Sequence, residues 1–258
     1  MLRMKNVVKF LVILGGMLFL YPQAGQATML DLTAGGSGFI DTSFFQWADA
    51  SSTGSGVIDP FVRLQTNDDL EQGYNTSGRP LKYDENNSPV HTHDLLLSAV
   101  PIVNISGTNY REFLLDINQS NCSRSHPECT NNLLSLDGIE IYLGSTGGLN
   151  PLNRALLGTK IYDLDASGNN WIKLNYTLNH GSGSGDMLAY IPNSVFTGPN
   201  QYVYFYSRFG ENYGNTAGFE EWAVRDPTGE NHTVTPEPAS LYLLGSGIVA
   251  AFIRRKRS

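Results

Sequence analysis

Asp163-Leu-Asp165-Ala-Ser167-Gly168 sets oxygen donors at alternate positions and then a glycine, the spacing with which calcium loops begin. A full EF-hand would need a carboxylate where this chain has Leu174, and flanking helices where Lys160 to Tyr162 and Trp171 to Tyr176 alternate like strands. Two readings therefore stand: a polar hairpin turn, or a non-EF calcium loop built from Asp163, Asp165 and Ser167 at a sheet edge. Calcium is the one cofactor candidate the sequence offers. Glu220-Glu221-Trp222 could supply a carboxyl for glycoside hydrolysis, with Asp186 or Glu140 as its partner. Neighbours on a strand point to opposite faces, so at most one of Glu220 and Glu221 could join such a site. His91-Thr-His93 would put two imidazoles on one strand face, but His126, His180 and His232 are scattered in turn-like contexts. Asp116-Ile-Asn118 and Asp137-Gly138 place acids at strand ends, where they serve as turn residues or calcium ligands. Neither a serine elbow nor a zinc-protease motif is present.

The elements that would position these groups read as β throughout. Ile139 to Leu143, Trp171 to Tyr176, Tyr110 to Ile117 and His93 to Val100 are strand candidates. Gln201 to Phe209 puts Val203, Phe205 and Phe209 on one face and three tyrosines on the other. Turn signals lie between them, among them Gly35-Gly-Ser-Gly38, Gly54-Ser-Gly56 and Gly181-Ser-Gly-Ser-Gly185. Many short strands separated by such turns predict an all-β fold, an antiparallel two-sheet sandwich of jelly-roll type. Cys122 and Cys129, the two cysteines, are predicted to pair as a disulfide, worth about 2.5 kcal/mol of loop-closure entropy. A metal site of both thiolates with His126 lacks a nearby fourth ligand.

The two ends differ from the body. Arg3, Lys5 and Lys9 precede an apolar run from Phe10 to Leu20, and Gly25-Gln26-Ala27 offers small residues to a signal peptidase. Residues 1–27 are expected to be a signal peptide cut after Ala27, the alternative being an uncleaved anchor helix, for which the apolar run is short. At the other end Pro236-Glu237-Pro238 is followed by an uncharged run from Leu241 to Ile253, then by Arg254, Arg255, Lys256 and Arg257. As a helix, Ala239 to Ile253 would cover about 22 Å against about 30 Å of hydrocarbon, a span suited to a transient stop. The basic block would hold that transmembrane helix with its end in the cytoplasm and the body outside. Between the ends, residues 28–235 form one predicted domain. It carries ten Lys and Arg against 23 Asp and Glu, about −13 in charge, which repels nucleic acid and suits cations or neutral sugars.

Pro236-Glu237-Pro238, Leu243-Leu-Gly-Ser-Gly247 and the basic end together resemble the PEP-CTERM sorting signal, here residues 236–258. The resemblance implies processing by an exosortase, an integral-membrane cysteine-type transpeptidase that cuts near Pro-Glu-Pro. It implies transient inner-membrane insertion, then delivery to the cell envelope, outer surface or extracellular matrix of a Gram-negative bacterium that makes exopolysaccharide. The body is expected to be a non-catalytic structural or adhesive component associated with that exopolysaccharide. Thirteen tyrosines and three tryptophans favour sugar stacking. The alternative is a secreted carbohydrate-active hydrolase on the same scaffold.

Overall fold

The computed structural model describes residues 27–49, 60–122, 129–179, 185–216 and 218–225. The signal segment up to residue 26, the sorting tail, the Gly54 turn, most of the Gly181 turn, and His126, His180 and His232 lie outside them. Among the described residues there are fourteen strands, β1 to β14 in chain order, and no helix long and apolar enough to cross a membrane.

One sheet runs β1 (Met29–Asp31), β11 (Trp171–Asn175), β9 (Leu133–Gly144), β13 (Tyr202–Phe209) and β5 (Glu71–Tyr74). Two further strands join it, β10 (Thr159–Asp163) on β9 and β6 (Leu95–Leu96) on β13. The other sheet runs β2 (Ser37–Ile40), β3 (Ser43–Trp47), β12 (Met187–Pro192), β8 (Thr108–Asp116), β14 (Glu220–Ala223) and β4 (Pro60–Leu64), with β7 (Ile102–Ile105) on β8. Pairing is antiparallel except between β1 and β11, which run parallel.

The sheets are held face to face by alternation. On β13, Val203, Phe205 and Phe209 point inward and Tyr202, Tyr204 and Tyr206 outward; on β8, Phe113 and Leu115 point inward and Leu114 outward. Phe205 meets Phe113 at 4.8 Å and Trp222 at 4.5 Å between ring centres, so aromatic rings from both sheets interlock at the middle of the core. Each such buried side chain contributes about 2 to 3 kcal/mol through the apolar area it removes from water.

Three local features depart from a plain meander. First, β10 and β11 do not form a hairpin with each other. Both pair with β9, β11 along Leu133 to Leu136 and β10 along Glu140 to Leu143. The Asp163–Gly168 segment is therefore a bulged insertion between two strand halves lying end to end. Second, the strand expected over His93 to Val100 shortens to β6 followed by a 3₁₀ turn at Leu97–Ala99. The chain must pass there from one sheet to the other, and the Arg111 guanidinium holds the corner by donating to the carbonyls of Leu97 and Val100. Third, residues 84–86 clip the open edges of β4 and β5 together. Gln65 donates to the Asp84 carbonyl, Asn86 to that of Arg63, and Asp84 to that of Gln72. Gly73 is required there, because a Cβ would lie 2.6 Å from Leu64 and 2.7 Å from the Glu85 side chain.

Candidate functional site

Two acids are buried between the sheets. Glu71 on β5 lies opposite Phe209, and Glu220 on β14 lies opposite Leu64. Both of those partners belong to the core, so the two carboxyls enter the interior from opposite sheets. Both are fully buried. Amides order them: Gln119 donates to Glu220 at 2.7 Å, Asn215 donates to Glu71 at 2.7 Å, and Gln119 donates to the Asn215 side-chain oxygen at 3.1 Å. Thr216 in turn fixes Gln119, donating to its oxygen from both N–H and hydroxyl at 2.9 Å. Burial first, and then the carboxyl of Glu220 beside it, push Glu71 above the ordinary range; burial likewise raises Glu220. Directly before β12, Asp186 accepts from the Ile117 N–H at 2.8 Å and is raised by burial, by the adjacent Asp116 and by Glu220.

The other candidate acids are held by cations. Glu221 bonds Arg63 at 2.6 Å, with that guanidinium 4.2 Å from the Phe219 ring centre. Glu140 takes Arg154 at 2.7 Å, Tyr142 at 2.6 Å and Lys160 at 3.4 Å. Burial alone would raise the Glu140 carboxyl, but those bonds and the Arg154 and Lys160 charges hold it below its ordinary value. Glu112, one strand over from Tyr190, is paired with Arg225. None of the acids weighed for hydrolysis thus stands free of a structural partner.

Asp163, Asp165 and Ser167 do come together in the bulge between β10 and β11. Asp163 accepts from the Asp165 N–H at 3.0 Å and from the Lys160 ammonium at 2.5 Å. Asp165 accepts from the Asn170 N–H at 2.8 Å, and Ser167 Oγ from the Asn170 amide at 3.2 Å. The Lys160 ammonium and the Asn170 donors engage one oxygen each of Asp163, Asp165 and Ser167, while the second Asp165 oxygen faces the Arg208 guanidinium at 3.9 Å. His91 and His93 lie in the connection before β6, where the His93 N–H binds the Phe61 carbonyl. Among the described residues, no three His, Cys, Asp or Glu side chains gather as ligands of one metal ion. Cys122 and Cys129 are joined as a disulfide, with Cα atoms 5.6 Å apart.

The outward tyrosines of β13 do not present a platform. Tyr74, Tyr142, Tyr204 and Tyr206 form a second buried cluster under the loops that follow β5 and β9. Tyr74 donates to Pro151, Tyr83 to Leu152 and Tyr204 to Thr146, all main-chain carbonyls of the covering loop, and Arg154 sits 3.8 Å over the Tyr206 ring. The more exposed aromatic row lies on the other sheet, where Phe39 meets Phe44 at 4.9 Å and Phe44 stacks on Tyr190 at 5.7 Å.

Sequence reasoning singled out Glu220 but missed Glu71, Gln119 and Asn215. The one signal was Glu71 two positions before Gly73, an acid in step with an inward glycine.

A family model described as the PEP-CTERM protein-sorting motif matches residues 234–257. This chain carries that sorting motif. The PEP-CTERM motif is a substrate signal for exosortase processing, and it implies an exported protein sorted to the cell envelope. The match takes in Pro236, Glu237 and Pro238 and the basic block at Arg254, Arg255, Lys256 and Arg257. No curated protein and no solved structure matches the chain.

Proposed function

We propose that the body ahead of the PEP-CTERM motif is a non-catalytic structural or adhesive component of a Gram-negative cell envelope or its extracellular polysaccharide matrix. A signal peptide at residues 1–27 would start its export. The tail at residues 236–258 would halt it in the inner membrane until an exosortase cuts near Pro236-Glu237-Pro238. The observation behind the non-catalytic reading is that Glu220, Glu221, Glu140 and Asp186 each have a structural commitment, inside the core or to a cation. Glycoside hydrolysis needs two carboxyls facing each other across an accessible groove. A jelly-roll connectivity fits the same picture, since the chain changes sheets between β8 and β9, β11 and β12, β12 and β13, and β13 and β14.

The test uses the full chain in a host that has an exosortase. The released form is expected to lack the four basic residues, and replacing Pro236, Glu237 and Pro238 by alanine should leave a full-length, membrane-bound form. The released protein should co-sediment with the host exopolysaccharide without shortening it. Release of sugar fragments that ceases in Glu140→Gln or Glu220→Gln would replace this reading with the hydrolase.

A further inference from the structure

Among the described residues, two buried glutamate oxygens have no hydrogen-bond donor. Glu71 uses one carboxyl oxygen for Asn215 and Glu220 uses one for Gln119, while Glu71 Oε1 and Glu220 Oε2 are buried with no hydrogen-bond donor. Yet the two carboxyls are tied to each other through the hydrogen-bonded Gln119 and Asn215 amides, and each acts on the other. Two bare acceptors cannot bond, and two buried charges side by side would repel with nothing to offset them.

Among the described residues, the charged groups that act on the pair are all acids. Glu71 is acted on by Glu220 and by Asp84 from the edge clip, and Glu220 by Glu71, by Asp116 from β8 and by Asp186 before β12. The remaining contacts are the Gln119 and Asn215 amides and the main chain of Asn118. The amide oxygens are already engaged: Gln119 accepts from Thr216, and Asn215 from Gln119. Their N–H groups therefore point at the carboxyls and offer no oxygens to a metal.

We propose that Glu71 and Glu220 share one proton across the two sheets, a clasp that closes this end of the sandwich in acid and neutral medium and opens as the pair loses its proton in alkali. The sign follows from linkage. Burial, together with the Glu220 charge at Glu71 and the Asp116 charge at Glu220, raises both carboxyls above the ordinary glutamate value of about 4.5. The folded state then holds a proton that the unfolded chain gives up. The pair's stabilisation is complete below about pH 4.5 and is lost as pH rises through the raised folded-state value. One extra bound proton changes the folding equilibrium constant about tenfold per pH unit across that window. Opening would free β5 and β14, the strands that carry the two acids.

The experiment follows urea unfolding of the exported protein from pH 5 to 9, with Glu71→Gln and Glu220→Gln alongside. An amide can donate to the remaining carboxylate, so each variant keeps the bond without needing the proton. Wild type is expected to weaken as pH rises. Both variants should show a dependence shallower by one proton and gain on wild type at the alkaline end. Hydrogen-exchange protection of the β5 and β14 amides, corrected for intrinsic rate, should fall in wild type ahead of β9. It provides the readout if a variant does not fold. Wild-type and variant profiles of equal slope, or β5 and β14 protection that tracks β9 at every pH, would overturn the clasp. So would millimolar calcium restoring wild type at pH 8 but not Glu71→Gln, since a metal ion would then be what the pair holds.

Discussion

Asn75 offers the sharpest test of how the tyrosine-bearing sheet is closed. On β13 the ladder to β5 ends at the Tyr206–Tyr74 pair, and the ladder to β6 begins at Val203–Leu95. The fully buried Asn75 side chain fills the gap between them. It accepts from the Phe205 N–H at 2.6 Å, and donates to the Val203 carbonyl at 2.9 Å and to His93 at 3.3 Å. One amide thus stands in for a missing piece of strand. Asn75→Ala would leave the Phe205 N–H and the Val203 carbonyl without partners in the core. Each orphaned group costs about 1 to 3 kcal/mol, so the loss should be about 2 to 6 kcal/mol. With an m-value of about 2 kcal/mol/M, the urea midpoint would fall by about 1 to 3 M. Asn75→Asp keeps the acceptor for Phe205 but turns a carboxylate on two carbonyls. It should cost at least as much at pH 7 and recover toward pH 4, where a protonated acid can donate. Trp222, buried 4.5 Å from the Phe205 ring, provides a fluorescence readout of the same region. A cost below 1 kcal/mol for both variants would refute the argument, because it would mean that neighbouring strands or water replace the amide freely.

Three further outcomes are expected. Tyr204→Phe removes a hydroxyl that donates to Thr146 at 2.8 Å and accepts from the Leu149 N–H at 3.1 Å, so about 2 kcal/mol should be lost and the loop after β9 should become the first site of limited proteolysis. Reducing the Cys122–Cys129 disulfide should cost about 2.5 kcal/mol, and Cys122→Ser should be as weak without reductant as wild type is with it; a variant still sensitive to reductant would count against this assignment. Because the Lys160 ammonium and Asn170 engage one oxygen each of Asp163, Asp165 and Ser167, native mass spectrometry should find no calcium adduct that depends on Asp165, and calcium should not move the Tm; an adduct abolished by Asp165→Ala would establish the calcium loop instead.

Much of the architecture was legible because alternation is a local property. The inward Val203, Phe205 and Phe209 and the outward tyrosines of β13 follow from a period of two, and so do the core faces of β8, β9 and β11. The segment His93 to Val100 misled because its apolar run serves a crossing between sheets, and such a crossing reads like a strand in composition. The Asp163 segment misled in another way. A polar stretch between two strands looks the same whether they turn back on each other or continue along a shared neighbour, and the length of β9 decided for the latter.

The sorting tail needed no fold at all to be read. Its order of Pro-Glu-Pro, short apolar run and cations is a property of the segment itself, and the family model matches it at residues 234–257. The cysteine pair, close in the chain, was legible for a similar reason. What only the tertiary structure decided was which distant groups meet. Glu71 and Glu220 become neighbours because β5 and β14, far apart in sequence, belong to the two sheets that face each other, and the tyrosines become a buried layer because two loops roof them. Residue type and periodicity determine which way a side chain points, but its neighbours, and therefore its charge state, depend on how the sheets are stacked.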